Sequence, residues 1–272
     1  MAPNSGEIKR TYFGRGGKRY ISYGAPALIA IRPAAGHPGS EDTMLLQGNK
    51  HCRVSGGRNE GVILLHGLCR TAASMSVMET YLTRNGYLVL NCKYPSRTNT
   101  IERLSDDVIG EALIDDRMRR CSRIHFVTHS LGGILVRNYF SRRSDARLGR
   151  VVMLGPPNQG SEVVDRFGAW RIFKSLNGPA GSELGTDDNS APNQLGRVNF
   201  ELGVVAGDRS INWINSLMIE GPNDGKVSIE STKVEGMKEQ VVVHSSHPFM
   251  MKNKDVLRHT LNFLRWGTFK TQ

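Results

Sequence analysis

No run of about 18 apolar residues occurs anywhere in this chain of 272 residues, so no segment is expected to cross a bilayer as a helix. Cysteine is scarce. Cys52, Cys69, Cys92 and Cys121 show no Cys-x-x-Cys spacing, and no disulfide framework is implied. Cys69 and Cys92 read as small apolar groups in or near the core. Acidic residues are outnumbered, 25 against 36 Lys plus Arg, leaving a net charge of +11. The arginines cluster at Arg117-Met-Arg-Arg120, Arg142-Arg143 and Arg147-Leu-Gly-Arg150. Such clusters are most simply a solvated basic face; the sharper alternatives are peripheral contact with an anionic membrane surface and attraction of acidic substrates. Aromatic residues are only 7% of the chain and none is interleaved with these clusters, so nucleic acid is not an expected partner. The start, Met1-Ala-Pro-Asn-Ser-Gly-Glu7, lacks the form of a signal peptide. Lys18–Gly36 imitates one, but its apolar part is short and holds a proline, and it reads as a strand or buried loop. The expected compartment is the cytoplasm.

What the chain does have, from Gly61 onward, is an alternation of short apolar runs and helical patterns. Strands are expected at Val62–His66, Tyr87–Cys92, Ile124–Thr128, Val151–Leu154, Leu202–Ala206 and Gln240–Val243. Helices are expected at Thr71–Arg84, Ile101–Arg119, Leu131–Ser144 and Val256–Trp266. Such alternation implies right-handed crossovers and an α/β architecture, a mostly parallel sheet with helices on both faces. Ligands of open parallel sheets bind beyond the carboxyl ends of the strands. Residues 1–58 differ, being rich in Gly, Pro and basic residues; they are expected to form edge strands, a partly disordered arm, or both, leaving 59–272 as the main domain. Between Pro156 and Gly196 runs an excursion with Val163, Phe167, Trp170, Phe173 and Leu176 at helical spacing. A stripe of this kind is usually core. Inserted here, at 157–196, it would also overhang the strand ends as a short cap.

The most informative segment is Ile124-His-Phe-Val-Thr-His-Ser-Leu-Gly-Gly133. A strand runs into a sharp turn and then directly into a helix, with Ser130 at the apex. That geometry lifts a hydroxyl off the sheet edge beside the positive end of a helix, the arrangement of a nucleophile elbow. Gly132 supplies the small residue that lets helix and strand pass closely; Thr128 stands where the usual pattern has a second glycine. Taken alone, the segment is more often a helix start with a capping serine.

Serine is a poor nucleophile without a base, the base needs an acid to orient it, and the developing oxyanion needs preplaced donors. Leu64-Leu-His-Gly-Leu68 ends the first clear strand. Its His66-Gly67 turn offers the Leu68 amide as one donor, and the Leu131 amide after the serine is the other. For the acid, Asp224 in Gly221-Pro-Asn-Asp-Gly225 competes with Asp208 at a strand end. For the base, His247 in the loop before the closing helix is preferred over His244 at the strand end, because a base must reach across the sheet edge. His66 and His129 flank the site in supporting roles. His244 and His247 have no third ligand to make a metal site, and neither a metal nor an organic cofactor is expected.

Together these pieces resemble a family. From about Gly61 to Gly267 the chain resembles a bacterial lipase/esterase of the α/β-hydrolase superfamily. The matching segments are Leu65-His-Gly-Leu68, Val127-Thr-His-Ser-Leu-Gly-Gly133, Pro156-Pro-Asn-Gln-Gly-Ser161, Asn223-Asp-Gly-Lys-Val227 and His247. Tyr94-Pro-Ser-Arg97 and Gly178-Pro-Ala-Gly181 are also similar to that group, without an assigned role. In such lipases an Asp-Gly-x-Val segment carries the acid, and the base follows roughly two dozen residues later. The resemblance therefore implies Asp224 as acid, an order Ser130, Asp224, His247 along the chain, an acyl-enzyme on Ser130, and small-molecule or lipid esters as substrates. An acyltransferase or thioesterase would use the same triad, and a non-catalytic hydrolase fold that binds lipid or a partner would retain the architecture without the chemistry.

Overall fold

The computed structural model describes residues 10–13, 19–22, 59–167, 171–210, 219 and 221–270. The chain divides into two compact units, Met1–His51 and Cys52–Gln272. In the first, β1 (Arg10–Phe13) and β2 (Arg19–Ser22) form an antiparallel pair with Arg10 opposite Ser22. The remainder of the buried segment expected at Tyr20–Ile31 lies outside the described residues.

The second unit is built on six strands. They are β3 (Glu60–Leu65), β4 (Leu88–Asn91), β5 (Arg123–His129), β6 (Leu148–Leu154), β7 (Leu202–Gly207) and β8 (Glu239–Val243). Their order is β4-β3-β5-β6-β7-β8, and every neighbouring pair is parallel. Parallel strands are roofed on both sides, so both sets of alternating side chains must be apolar. Ile63, Leu65, Ile124, Phe126, Val151 and Met153 face one way. They meet α2 (Ile101–Ile114) and α4 (Leu131–Arg142). Val62, Leu64, Val127, Val152, Leu154 and Val205 face the other way, against α1 (Ser76–Arg84) and the closing helix Lys254–Trp266. All six strands fall where the apolar runs predict, with ends shifted by no more than three residues.

The helices differ from expectation at two points. Ile101–Arg119 is not one helix but α2 followed by α3 (Asp116–Arg119). Asp115 leaves the helical region at φ −57°, ψ 138°, and its carboxylate accepts from the Arg117 amide at 2.9 Å, starting a new helix rather than continuing the old one. A short acidic side chain favours that N-terminal role over a helix interior. The helix expected at Thr71–Arg84 opens as a tight 3-10 turn, Ala72–Met75, before α1. Between β6 and β7 the excursion holds α5 (Glu162–Phe167), α6 (Arg171–Ser182, kinked at Gly178) and α7 (Ala191–Gln194). The side chains of its expected stripe, Val163, Phe167, Trp170, Phe173 and Leu176, lie outside the described residues. The closing helix, α8 (Lys254–Trp266), starts at Asn253, whose side chain accepts from the Asp255 amide, and ends on Gly267 at φ +69°. Among the described residues no helix is long and apolar enough to cross a membrane.

Two buried polar side chains tie this frame together. Arg137, 3% exposed, reaches out of α4 to the carbonyls of Asn158, Pro192 and Gly196 at 2.8–2.9 Å, and to Asn158 Oδ1. It thus joins the helix after Ser130 to both ends of the excursion. Burial pushes its pKa down to about 10, so it stays cationic at neutral pH on carbonyl dipoles alone. His125 sits where the β5–β6 register shifts. Its Nδ1 accepts the Arg150 amide at 2.8 Å, and Nε2 lies 3.7 Å from a Glu60 carboxylate oxygen. Burial, opposed by the Glu60 charge, pushes the His125 pKa down to about 4.

Two outcomes follow from these side chains. Arg137→Leu should lower unfolding stability by roughly 2–4 kcal/mol in urea titrations, because four hydrogen bonds to a charged group vanish and buried carbonyls lose their donor; a loss under about 1 kcal/mol would contradict this role. His125 has a folded pKa below its unfolded value, so the fold binds fewer protons than the unfolded chain. Its contribution is complete above pH ~6.5 and declines as pH falls toward 4. Acid unfolding of His125→Gln should lack that part of the decline, and superimposable curves for the two proteins would rule it out.

Candidate active site

β5 delivers Ser130 to the carboxyl edge of the sheet between β3 and β6. Its amide donates to the Leu154 carbonyl at 2.9 Å, and its own carbonyl accepts from Gly133. The backbone there has φ 53°, ψ −122°, one of two positive-φ residues other than glycine among the described residues. Such a conformation costs on the order of 1–3 kcal/mol and persists only when the surroundings impose it. They do so here because α4 must turn back at once across β3. A methyl group on Gly132 would lie 2.8 Å from the Leu65 carbonyl oxygen. The close approach is therefore carried by Gly132. Thr128 is fully buried, with its hydroxyl unpartnered among the described residues.

The turn after β3 lies directly against the serine. A Cβ on Gly67 would come within 3.0 Å of Ser130 Cβ and 2.8 Å of His129 Nδ1. The amides of Leu68 and Leu131 donate to no group among the described residues, so both are free for a ligand. The turn is braced from beneath. The His66 ring stacks on Tyr94 at 3.9 Å, its Nδ1 donates to the Gly67 carbonyl at 3.0 Å, and the Tyr94 hydroxyl donates to the His66 carbonyl. Burial lowers the His66 pKa and raises that of Tyr94, so both remain neutral hydrogen-bonding groups. Ser96 Oγ accepts the Cys69 amide at 3.1 Å, which holds Cys69 at φ 56°. The excursion braces it from above. Gly178, at φ +67°, packs so tightly on the Arg97 carbonyl that any Cβ would overlap it, and Gly181 lies beside Leu68. Tyr94–Arg97 and Gly178–Gly181, which had no role in the sequence, are thus the two supports of this turn.

Asp224 and His247 meet over the ends of β6 and β7. Asp224 Oδ2 accepts His247 Nδ1 at 2.7 Å, and Oδ1 accepts the amides of Lys226 and Val227, each at 2.9 Å. The His247 amide in turn donates to the Asp224 carbonyl at 2.9 Å. Both side chains are buried, at 3% and 1% exposure. His247 stands at the first residue of a 3-10 turn, His247–Lys252, rather than in an open loop. With Nδ1 bound to a carboxylate, Nε2 is the basic nitrogen of the ring. His129 lies beside it, ring centroids 4.7 Å apart, and its Nε2 bonds to the His247 carbonyl at 3.0 Å. A carbonyl only accepts, so that nitrogen carries the proton. Burial first, and the neighbouring His247 second, hold the His129 pKa well below the usual value; it acts as a neutral strut.

Gly155 was not singled out in the sequence. A methyl group there would lie 2.9 Å from Asp224 Oδ2 and 3.1 Å from His247 Nδ1, at φ +53°. The pair therefore rests on the residue next to Leu154, whose carbonyl holds the Ser130 amide. The only signal for it was a glycine between a strand and Pro156-Pro157. The alternative candidates, Asp208 and His244, bind each other elsewhere. His244 Nδ1 and Asp208 Oδ1 are 2.9 Å apart, with the histidine 74% exposed. Among the described residues no group of three or more His, Cys, Asp or Glu side chains is placed to hold a metal. Ser130, Asp224 and His247 line neither a cleft of about 480 Å³ between β4 and α2 nor one of about 620 Å³ between α2 and the excursion.

No protein-family model matches the sequence, and no curated protein matches it either. Solved structures do. The mature form of the Bacillus licheniformis lipase BlEst2 superposes with a TM-score of 0.59 at 17% identity, over 76% of this chain and 91% of that one. The metagenomic carboxyl esterase MGS0156 gives 0.56 at 18% identity, over 79% and 70% of the two chains. Phospholipase PlaB from Legionella pneumophila gives 0.53 at 20% identity, over 64% of this chain and 44% of that one. At such identities the likeness concerns the fold: this chain has the α/β-hydrolase architecture found in bacterial lipases and esterases.

Gly155→Ala should displace the Asp224–His247 pair and strain a left-handed position at once. A loss of about 1–3 kcal/mol is expected, read as a lower thermal midpoint, with a disturbed His247 ring resonance in NMR spectra. A variant with unchanged midpoint and unchanged resonance would mean that the pair is not seated on residue 155.

Proposed function

We propose that the protein hydrolyses carboxylic esters through an acyl-enzyme on Ser130. The observation that carries this reading is the buried Asp224–His247 pair seated one residue beyond the carbonyl that fixes the Ser130 amide, at the sheet edge where two backbone amides are free. In the first half-reaction His247 Nε2 takes the hydroxyl proton as Ser130 Oγ attacks the ester carbonyl. The oxyanion is held by the Leu68 and Leu131 amides. Collapse expels the alcohol, which leaves with the proton from His247. Water then enters, gives its proton to His247 and attacks the acyl-enzyme; the acid is released as Ser130 recovers its proton. Asp224 fixes the ring tautomer and stabilises the transient imidazolium. His66, Gly67, His129 and Gly132 position these groups, and no step calls on a metal or an organic cofactor. The excursion at 157–196, resting on the turn that carries Leu68, supports its reading as a cap over the acyl group.

Acyl transfer to an alcohol or a thioester substrate would pass through the same intermediate, and product analysis with each acceptor separates these activities. A fluorophosphonate probe should label Ser130. Ser130→Ala should lose at least about 10³-fold in kcat/KM on short activated esters while keeping its fold by circular dichroism. His247→Ala should fall by a similar factor, and His244→Ala should stay within about 3-fold of the parent. The reverse ranking of the two histidines would move the base to the exposed pair, and an unlabelled but folded protein would favour a binding role.

A further inference from the structure

We infer that Ser96 is a positioning residue for the reaction: it holds Cys69 in a left-handed backbone conformation, and through that residue it aims the Leu68 amide at the oxyanion. This rests on the hydrolase reading and adds to it the side chain that sets one of the two oxyanion donors. Among the described residues, positive φ falls on glycine everywhere except at Ser130 and Cys69. A Cβ makes that conformation costly, so it persists only where the surroundings impose it, and such residues cluster at functional sites. Ser130, at φ 53°, is the apex of the strand–helix turn. Cys69, at φ 56°, is the third residue of the turn Gly67–Arg70, closed by the Arg70 amide donating to the Gly67 carbonyl at 3.2 Å. The two segments face each other, since a Cβ on Gly67 would lie 3.0 Å from Ser130 Cβ.

A positive φ at the third residue of a turn ordinarily calls for glycine. Here a hydrogen bond stands in its place: the Cys69 amide donates to Ser96 Oγ at 3.1 Å. Cys69 is exposed and Ser96 is buried, so the turn is fastened from within. The sheet places Ser96. β3 and β4 are parallel neighbours with Leu64 level with Asn91, and the Cys92 amide carries the pairing on to the Leu64 carbonyl at 3.1 Å. The two segments therefore leave the sheet side by side. The Ser96 amide donates to the Tyr94 carbonyl at 3.1 Å, the Tyr94 hydroxyl holds the His66 carbonyl, and Gly178 packs on the Arg97 carbonyl. The aim of the Leu68 N–H follows from peptide planarity, which points N–H and C=O in opposite directions. The Gly67 carbonyl is held by His66 Nδ1 at 3.0 Å and by the Arg70 amide, so the Leu68 N–H points the other way. The Arg70 amide lies just beyond Cys69, and its direction depends on the Cys69 φ. Without Ser96 the Leu68–Cys69 peptide is free to turn over to the form with negative φ, and the Leu68 donor loses its fixed aim. The Cys69 thiol also meets Asn177 Oδ1 at 3.6 Å, so a test has to separate the backbone from the side chain.

Kinetics on para-nitrophenyl butanoate make that separation. Ser96→Ala should lose about 10-fold or more in kcat with KM within about 3-fold of the parent, because an oxyanion donor acts mainly on the transition state. Adding Cys69→Gly should restore most of the loss, since glycine takes positive φ unaided. Adding Cys69→Ala instead, which removes the thiol and keeps the Cβ, should restore none. Thr98→Ala, an exposed change in the same loop whose hydroxyl meets the Pro95 carbonyl, should leave both constants within about 2-fold. Full activity in Ser96→Ala, a rise in KM with kcat unchanged, or equal outcomes for the two double variants would overturn the inference. Hydrogen exchange on the parent protein gives a reading that needs neither turnover nor a folded variant: the Cys69 amide should exchange on the order of 10²-fold more slowly than unbonded turn amides. Exchange at the unprotected rate sinks the assignment of Ser96 even if esters are cleaved. A protected Cys69 amide in a protein that cleaves no ester supports Ser96 as the holder of the turn, and the hydrolase reading alone fails.

Discussion

A carboxylate buried to 1% exposure has to have its lone pairs filled, and the candidate site is arranged around that requirement at Asp224. Two backbone amides take one oxygen and His247 takes the other. To bring the side chain over the strand ends, β6 and β7 must finish in residues with no Cβ. Gly155 and Gly207 meet that condition, and a methyl group on Gly207 would overlap the Ser245 carbonyl and press on Asp224. The loop 221–228, the 3-10 turn at His247 and the ends of two strands are thus fixed by one buried charge.

Among the described residues there are two Asp–His pairs of nearly the same length, and burial separates them. His247–Asp224 is closed to solvent, where a charge contact is strong and a fixed tautomer persists. His244–Asp208 lies open to water, where a contact of the same geometry contributes little. His129 adds a third histidine, which burial keeps neutral and which packs against the His247 ring.

Much of this was legible from residue order. The six strands were readable because a doubly covered parallel strand must be apolar on both faces, as in Val62-Ile-Leu-Leu65 and Val151-Val-Met-Leu154. The strand–turn–helix around Ser130 was readable because its three parts follow without a gap. The break at Asp115 was not, since the apolar spacing of Ile101–Arg119 runs through it and only a local hydrogen bond decides where the helix restarts. Tyr94, Gly178 and Gly181 looked like a motif without a purpose. Their role depends on stacking and close approach between segments that are remote from one another in the chain. Arg137 gave no signal, because a charged residue on an amphipathic helix ordinarily faces water.

The sequence by itself determined the order of elements, the strand–turn–helix at Ser130 and the small set of acids and bases available at strand ends. These depend on local periodicity and on residue chemistry, which neighbours along the chain are enough to express. Only the tertiary structure decided which aspartate meets which histidine and which glycines carry the close approaches. Those are properties of distance and burial between segments remote in the chain, and no local pattern encodes them.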